Sequence, residues 1–98
     1  MRLQWSQRSR RDLIAIGEFI GADSRAAASR WIAKIVARAR QAARNPGSGR
    51  SVLEFAREDV REVLLGSYRL VYRVLPGKIH ILTVFEGHKQ LRLDPEET

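Results

Sequence analysis

Cysteine is absent from this chain of 98 residues, which excludes a disulfide framework and any metal site built from thiolates. The only histidines are His80 and His88, and the acidic residues around them lack metal-ligand spacing, so we expect no metal site. No apolar run approaches the roughly 18 residues that cross a bilayer, and the first residues lack the pattern of a signal peptide. We therefore expect no membrane association, and the missing cysteine fits the reducing cytoplasm.

The signatures of two enzyme classes are missing as well. The sequence has no glycine-rich phosphate loop before a helix and no nucleophile elbow, and we expect no cofactor. A length of 98 residues predicts one domain, residues 1–98, with a modest core.

Acidic residues are missing from one long stretch. The chain carries 18 basic and 11 acidic residues, a net charge of +7, yet residues 24–53 contain no Asp or Glu, and the rest of the chain is balanced. The basic residues of this stretch are Arg25, Arg30, Lys34, Arg38, Arg40, Arg44 and Arg50. A field of this kind attracts nucleic acid or an acidic protein, and a solvated helix face is the structural alternative.

The first half of the chain predicts a strand and two helices. Residues 2–5 form the strand, Ser6 is a helix N-cap, and the spacing of apolar residues predicts a helix over residues 7–20. Ser24 caps a second amphipathic helix over residues 25–44. Basic side chains line its polar face, which we interpret as a patch for nucleic acid or an acidic partner. The patch comprises Arg30, Lys34, Arg38 and Arg44.

Residues 60–89 contain three runs rich in Val, Leu, Ile, Tyr and Phe, separated by Gly-Ser at residues 66–67 and Pro-Gly at residues 76–77. This pattern predicts three consecutive antiparallel strands. In the middle run, alternation places Arg69 and Arg73 on the same face. Either their stems lie along apolar surface with the charged heads in solvent, or that face binds a polyanion.

Together these elements predict an α+β fold. It consists of an N-terminal strand, an α-helical hairpin and a three-stranded antiparallel meander, forming a twisted sheet with the helices on one face. Residues 45–49 are a loop rich in Gly, and residues 50–59 stay unassigned because their character is mixed. The polar residues after Leu91 are interrupted by Pro95, which predicts a short turn and a frayed end.

Residues 68–74 read Tyr-Arg-Leu-Val-Tyr-Arg-Val, between Val-Arg-Glu-Val at residues 60–63 and Ile-His-Ile-Leu-Thr-Val at residues 79–84. This arrangement resembles the sheet of the RelE/ParE toxin superfamily, the toxins of bacterial toxin–antitoxin operons. Asn-Pro at residues 45–46 and the stretch 49–55 resemble the loop that the family carries there. The resemblance covers about residues 3–91 and implies a single RelE/ParE-like toxin domain.

One branch of the superfamily cuts ribosome-bound messenger RNA, and the resemblance implies three candidate catalytic residues for it. Arg69 matches a phosphate-stabilising arginine, and His88 or Lys89 matches the basic residues after the last strand. Histidine titrates near neutrality, so His88 is the candidate acid or base. Glu62 and Leu64 stand where such nucleases often carry lysines, which makes this RelE-like endoribonuclease, with the ribosome and messenger RNA as partners, the alternative.

The ParE branch resembles this chain better, in residues 60–63, in the long second helix and in the loop over residues 49–54. ParE toxins as a group act on DNA gyrase and stabilise its cleaved-DNA state without cutting DNA themselves. The resemblance therefore implies a gyrase inhibitor. Its candidate target-binding residues are Arg61, Arg69, Arg73, His88 and Lys89. We expect Arg69→Ala to abolish growth inhibition without unfolding the protein.

Members of the family are held inactive by a cognate antitoxin, whose acidic and apolar C-terminal segment wraps the toxin. The resemblance implies such a partner in a toxin–antitoxin hetero-oligomer, and the basic excess fits it. A third interpretation is a degenerate member whose main act is to bind its antitoxin. Arg61 then pairs locally with Asp59, or with Glu62 of a neighbouring copy.

Overall fold

The computed structural model of the protein describes residues 1–96. Its elements, in chain order, are β1 (Arg2–Trp5), α1 (Gln7–Gly21), α2 (Arg25–Arg44), a 3-10 turn (Pro46–Ser48), β2 (Arg50–Ser51), β3 (Val60–Leu65), β4 (Tyr68–Leu75) and β5 (Lys78–Glu86). The predicted α+β class and order of elements are confirmed, and the two-residue strand β2 is an addition to them. The predicted frayed end includes residues 97–98, which lie outside the described residues.

The strands form one sheet in the order β1-β5-β4-β3-β2. The central three are the predicted antiparallel meander. β1 pairs in parallel with β5 at one edge, and β2 pairs with β3 at the other. A two-residue connection joins β3 to β4, and Gly66 opens it with a φ of 58°. This left-handed conformation suits glycine, because other residues meet steric resistance from their Cβ atom there.

Both helices begin at the serine caps that the sequence predicts. The Ser6 hydroxyl accepts a hydrogen bond from the Ser9 N–H at 3.0 Å, and the Ser24 hydroxyl accepts one from the Ala27 N–H at 3.1 Å. Each cap satisfies a backbone donor that the first helical turn leaves without a partner. Within residues 1–96, no helix combines the length and the apolar character needed to cross a membrane.

The helices cover one face of the sheet. α2 contributes Ile35 and three buried alanines, whose small side chains allow the helix to approach the strands closely. The sheet contributes alternate residues of its central strands, as the period of two requires. The buried cluster comprises Ile35, Ala39, Ala42, Ala43, Val63, Tyr68, Leu70, Tyr72, Ile79, Ile81 and Val84.

A β-bulge interrupts the pairing of β4 with β5. Val71 pairs with Thr83 and Tyr72 pairs with Ile81, so Leu82 is the extra residue. The bulge changes the alternation of β5, which keeps both Ile81 and Val84 in the helix-side cluster. Asp12 of α1 holds this irregular point, because its carboxylate accepts hydrogen bonds from the Thr83 hydroxyl at 2.6 Å and from the Val84 N–H at 3.0 Å.

The opposite face of the sheet is also covered. A second cluster joins Val71 and Leu82 of the sheet to residues of the loop between β2 and β3 and of the C-terminal segment. Its buried members are Val52, Val60, Val71, Leu82 and Leu91, with Phe55, Phe85 and Leu93 packed against them. The stretch that the sequence leaves unassigned, residues 50–59, is therefore a strap across the outer face of the sheet.

Candidate functional site

Arg69 lies under this strap, where two glutamates engage it. Its Nε donates to Glu62 Oε1 at 2.6 Å, and its Nη1 and Nη2 donate to the two carboxylate oxygens of Glu54 at 3.1 and 3.0 Å. The side chains of Arg69 and Glu62 are only 11% and 2% exposed. The hydrogen bonds between Arg69 and Glu54 raise the pKa of Arg69 and lower the pKa of Glu54, so both stay charged.

Glu62 has a second partner, because Arg50 of β2 donates from Nε to Glu62 Oε2 at 2.7 Å. The guanidinium of Arg69 also lies 5.0 Å from the centre of the Phe85 ring. Arg69 is thus surrounded by groups of its own chain on three sides. Its ion pairs with Glu54 and Glu62 connect the strap to the sheet.

Arg73 is engaged in the same way on the same face. Its Nε lies 3.1 Å from Asp59 and its Nη1 lies 3.1 Å from Glu96. Arg57 of the strap donates to the same two carboxylates. We call Arg57 and Arg73 the arginine pair. The hydrogen bonds from Arg57, aided by the one from Arg73, lower the pKa of Asp59 below its ordinary value.

These contacts correct the prediction for the two arginines of β4. Neither alternative stated from the sequence describes them, since the charged heads of Arg69 and Arg73 are neither in open solvent nor grouped as an empty polyanion site. Each is ion-paired with carboxylates of its own chain. The alternation of β4 predicts the shared face correctly, but it carries no information about partners that come from a loop.

Arg61 faces the helix side of the sheet. Its Nη1 donates to the Gly49 carbonyl at 2.9 Å, beside the Tyr72 hydroxyl, which donates to the Pro46 carbonyl at 2.6 Å and accepts from the Gly49 N–H at 3.1 Å. Burial raises the pKa of Tyr72, and the charges of Arg61 and Arg38 oppose that rise. The predicted local pair of Arg61 with Asp59 is wrong, because Asp59 is held by the arginine pair.

His88 and Lys89 lie in the exposed turn after β5. The turn is anchored by the Gly87 N–H, which donates to the Ser67 carbonyl at 2.6 Å. The His88 side chain is 73% exposed and its Nε2 lies 3.5 Å from Glu86. Lys89 lines a groove between α1 and the end of β5, together with Phe19, Tyr68 and Phe85.

The five predicted target-binding residues therefore do not form one cluster. Arg61 is on the helix side, Arg69 and Arg73 are ion-paired on the strap side, and His88 and Lys89 are in a separate turn. Among residues 1–96 no group of acidic or histidine side chains could hold a metal ion. Arg57 was not predicted, although its position two residues before Asp59 was a signal for a local ion pair.

The predicted basic patch of α2 differs from the arginines of β4 in its exposure and its lack of ion pairs within the described residues. Arg30, Lys34 and Arg44 are exposed and Arg38 is partly buried, and none of the four forms an ion pair within the described part of the chain. Lys34 lies 5.2 Å from the centre of the Trp31 ring, and Arg38 donates to the side-chain oxygen of Gln41 at 3.0 Å. The α2 patch thus presents cations without the carboxylates that engage the arginines of β4.

Comparisons with known proteins agree with this architecture. A family model described as the ParE toxin of the type II toxin–antitoxin system, parDE, matches residues 3–91. Among solved structures, a chain of the chromosomal ParDE TA system from P. aeruginosa superposes with a TM-score of 0.73 and 24% sequence identity, covering 88% of this chain and 95% of that chain. No curated protein matches the sequence.

Proposed function

Because this chain belongs to the ParE toxin family of type II toxin–antitoxin systems, we propose that it inhibits growth by poisoning DNA gyrase. In this proposal the toxin binds gyrase engaged on DNA and stabilises the cleaved-DNA state, and a cognate antitoxin neutralises it in a hetero-oligomer. Its place of action is the cytoplasm, where it meets gyrase. Binding alone is sufficient, so no catalytic residue of the toxin is required.

The division of the basic side chains is the observation that carries this proposal. The arginines of β4 are engaged by carboxylates, whereas the α2 patch (Arg30, Lys34, Arg38 and Arg44) has no ion-pair partner within residues 1–96. Unpaired cations on one helix face suit a partner that includes DNA, because each phosphate contact releases counterions and adds to affinity. Arg61 lies on the same side of the sheet and extends this surface in our proposal, and His88 and Lys89 offer a second contact.

The RelE-like endoribonuclease alternative finds less support. Such chemistry needs a base, an acid and cations that stabilise the charge developing on phosphate. Arg69 is its candidate cation, but two carboxylates already use the donors of that side chain. His88 is highly exposed, and its neighbour Glu86, 3.5 Å away, is a carboxylate that would repel the phosphate to be cleaved.

The antitoxin proposal draws on surfaces that the helices leave open. Phe19 is 74% exposed and borders the groove between α1 and the end of β5, and Ile14 of the same helix is also exposed. An acidic and apolar segment would cover such surface and meet the basic α2 patch. The expected complex contains both proteins and masks the toxin's contact with gyrase.

The decisive assay combines purified toxin, gyrase, ATP and plasmid, with linear DNA scored after denaturation. We expect linear product that depends on both proteins, and a loss of that product when Lys34 and Arg38 are both changed to Gln. A variant with Arg10 and Arg11 changed to Gln is the matched control, because it loses the same charge from exposed positions of α1. It should keep the activity of the unchanged toxin.

Two results count against the proposal. Equal loss in both double variants would assign the effect to net charge rather than to the α2 patch. Absence of linear product, with an active control toxin in parallel, would favour messenger RNA cleavage instead. Cleavage is then mapped in translating extracts, where loss of activity in His88→Ala supports the endoribonuclease.

A further inference from the structure

Two arginine side chains from different parts of the chain converge on one carboxylate. Arg57 Nη1 lies 2.9 Å from Glu96 Oε1, and Arg73 Nη1 lies 3.1 Å from Glu96 Oε2. The arginine pair therefore gives one donor to each oxygen of the same group. Neither the basic α2 patch nor the turn after β5 contributes to this arrangement.

Asp59 makes this a built site rather than two independent surface arginines. Arg57 donates from Nε and Nη2 to the two oxygens of Asp59 at 2.9 and 2.7 Å, and Arg73 Nε donates to one of them at 3.1 Å. A planar guanidinium held through two of its nitrogens has its third nitrogen fixed in direction. Arg57 Nη1 thus stays directed at the position of Glu96 whether or not Glu96 is there, and Arg73, held to Asp59 through Nε alone, lies beside it.

Glu96 is the weakly held member of the group. Its side chain is 60% exposed, against 21% for Arg73, and exposed ion pairs contribute little to stability. The C-terminal segment has other anchors, because Leu91 is buried in the second cluster and the Arg92 carbonyl accepts from Arg8 Nη1 at 2.6 Å. Glu96 can therefore leave the arginine pair while the segment before it stays in place.

We infer that the arginine pair is a binding site for a phosphodiester group of nucleic acid, and that Glu96 occupies this site as an internal competitor. A carboxylate and a phosphodiester each present two oxygens that share one negative charge, and guanidinium groups bind both. Two arginines, Asp59 and Glu96 carry balanced charge. Exchange of Glu96 for a phosphodiester preserves that balance.

The inference deepens the proposed function and rests on it, because a gyrase–DNA complex presents phosphodiesters to the bound toxin. A duplex offers one phosphate charge per roughly 1.7 Å of its axis, and the toxin's net charge of +7 attracts it. The local concentration of phosphodiester groups at the surface is therefore high. An acidic protein segment is the competing occupant, and the experiment below distinguishes it.

The test measures binding of the purified full chain to a labelled 20-base-pair duplex, without gyrase, across a range of salt concentrations. We expect Glu96→Gln to tighten binding about two- to fivefold, the effect of removing one exposed ion-paired competitor. The slope of log Kd against log salt should steepen by up to about one, the value for one more phosphate contact. Adding Arg57→Gln to Glu96→Gln should remove both gains.

Glu58→Gln is the matched control, since Glu58 is an exposed residue of the same strap with no ion pair among residues 1–96. It changes the net charge equally, so equal effects of the two glutamine variants would overturn the inference. A gain that persists with Arg57→Gln, or no measurable duplex binding, would also overturn it. If polyglutamate shows the dependence on Glu96 and Arg57 and the duplex does not, the site takes carboxylates instead.

The absence of gyrase from this experiment separates the two proposals. A negative gyrase assay together with tighter duplex binding by Glu96→Gln would reject gyrase as the target and support the phosphodiester site. Linear DNA product together with equal duplex binding by Glu96→Gln and Glu58→Gln would support gyrase as the target and reject the phosphodiester site.

Discussion

Glu62 accepts a hydrogen bond from Arg69 Nε at 2.6 Å in a position where the glutamate side chain is only 2% exposed. Glu62 lies on β3 and Arg69 on β4, and Glu54 of the strap completes the group. A charged carboxylate at this depth is tolerated only with partners, because its desolvation costs several kcal/mol. The relationship makes Arg69 a structural residue, whatever else it does.

We therefore expect Arg69→Ala to destabilise the protein, contrary to the prediction from sequence that it would leave folding intact. Arg50 remains as the partner of Glu62, so the loss should be about 2–3 kcal/mol, below that of a fully orphaned buried charge. In a domain of this size, that corresponds to a fall in Tm of about 10 °C or more. Thermal unfolding followed by circular dichroism measures it.

A double variant separates stability from target contact at the same position. Arg69→Met with Glu62→Leu replaces the buried pair by apolar side chains, which is often neutral for stability. We expect this variant to regain most of the stability that Arg69→Ala loses, and with it the growth inhibition. If the double variant folds stably and does not inhibit growth, Arg69 contacts the target.

A second prediction compares alanine substitutions at Gly66 and at Gly77, the glycine of the other meander turn, which serves as the control. Gly66 and Gly77 both have positive φ values, 58° and 74°. A Cβ atom at Gly66 would lie 2.8 Å from the Trp31 ring, whereas nothing lies within 4 Å of one at Gly77. We expect Gly77→Ala to lower the free energy of unfolding by about 1 kcal/mol and Gly66→Ala by about 2–4 kcal/mol.

Urea denaturation of the two alanine variants measures that difference. Equal losses would mean that Trp31 moves aside without cost, and that only the backbone conformation matters at Gly66. The result tests the contact between α2 and the first hairpin, since Trp31 also packs edge-on against Tyr68 at a centroid distance of 5.6 Å.

The local features of this fold could be predicted because they depend on residues close in sequence. Ser6 and Ser24 act within one helical turn, and the alternation of β4 separates Tyr68 and Leu70 from Arg69 by period alone. The features that escaped prediction depend on distant residues or on an irregularity. Glu54 reaches Arg69 across 15 residues, and one residue inserted in a strand leaves no sequence mark.

The same distinction between local and distant residues decides which parts of the candidate site could be predicted. The α2 patch could be predicted because four cations on one helix need only the helical period to share a face. The strap could not, because its apolar residues enter the second cluster singly, with no period. Without the strap, Glu54 and Asp59, which engage Arg69 and Arg73, had no place in the prediction.

Tyr72 supports a third prediction, on the loop before β2. Its hydroxyl bonds to the Pro46 carbonyl and the Gly49 N–H, in a buried environment, so Tyr72→Phe leaves both groups without that partner. We expect a loss of about 1–3 kcal/mol and faster amide exchange at Gly49. Tyr68→Phe is the control, since the Tyr68 hydroxyl makes no hydrogen bond within residues 1–96. A change of similar size in both variants would contradict the role of the hydroxyl.

Lowering the pH should weaken the attachment of the strap to the sheet, and the direction of this effect follows from the pKa of Glu54. Hydrogen bonds from Arg69 lower the pKa of Glu54 below the ordinary 4.5, so the folded state binds protons less readily than the unfolded state. The stabilisation is complete above the ordinary value and is lost as the pH falls through the lowered one. We expect the difference in stability between the unchanged protein and Glu54→Gln to shrink over that window.

Denaturant titrations between about pH 6 and pH 3 measure this difference directly. Glu18→Gln is the control for the loss of one exposed carboxylate, because Glu18 is exposed on α1 and has no ion pair within the described chain. A difference that stays constant with pH for Glu54→Gln would show that the Glu54 carboxylate contributes nothing through its charge. The strap would then be held by its apolar contacts and by its other ion pairs, those of Arg50 with Glu62 and of Asp59 with Arg73.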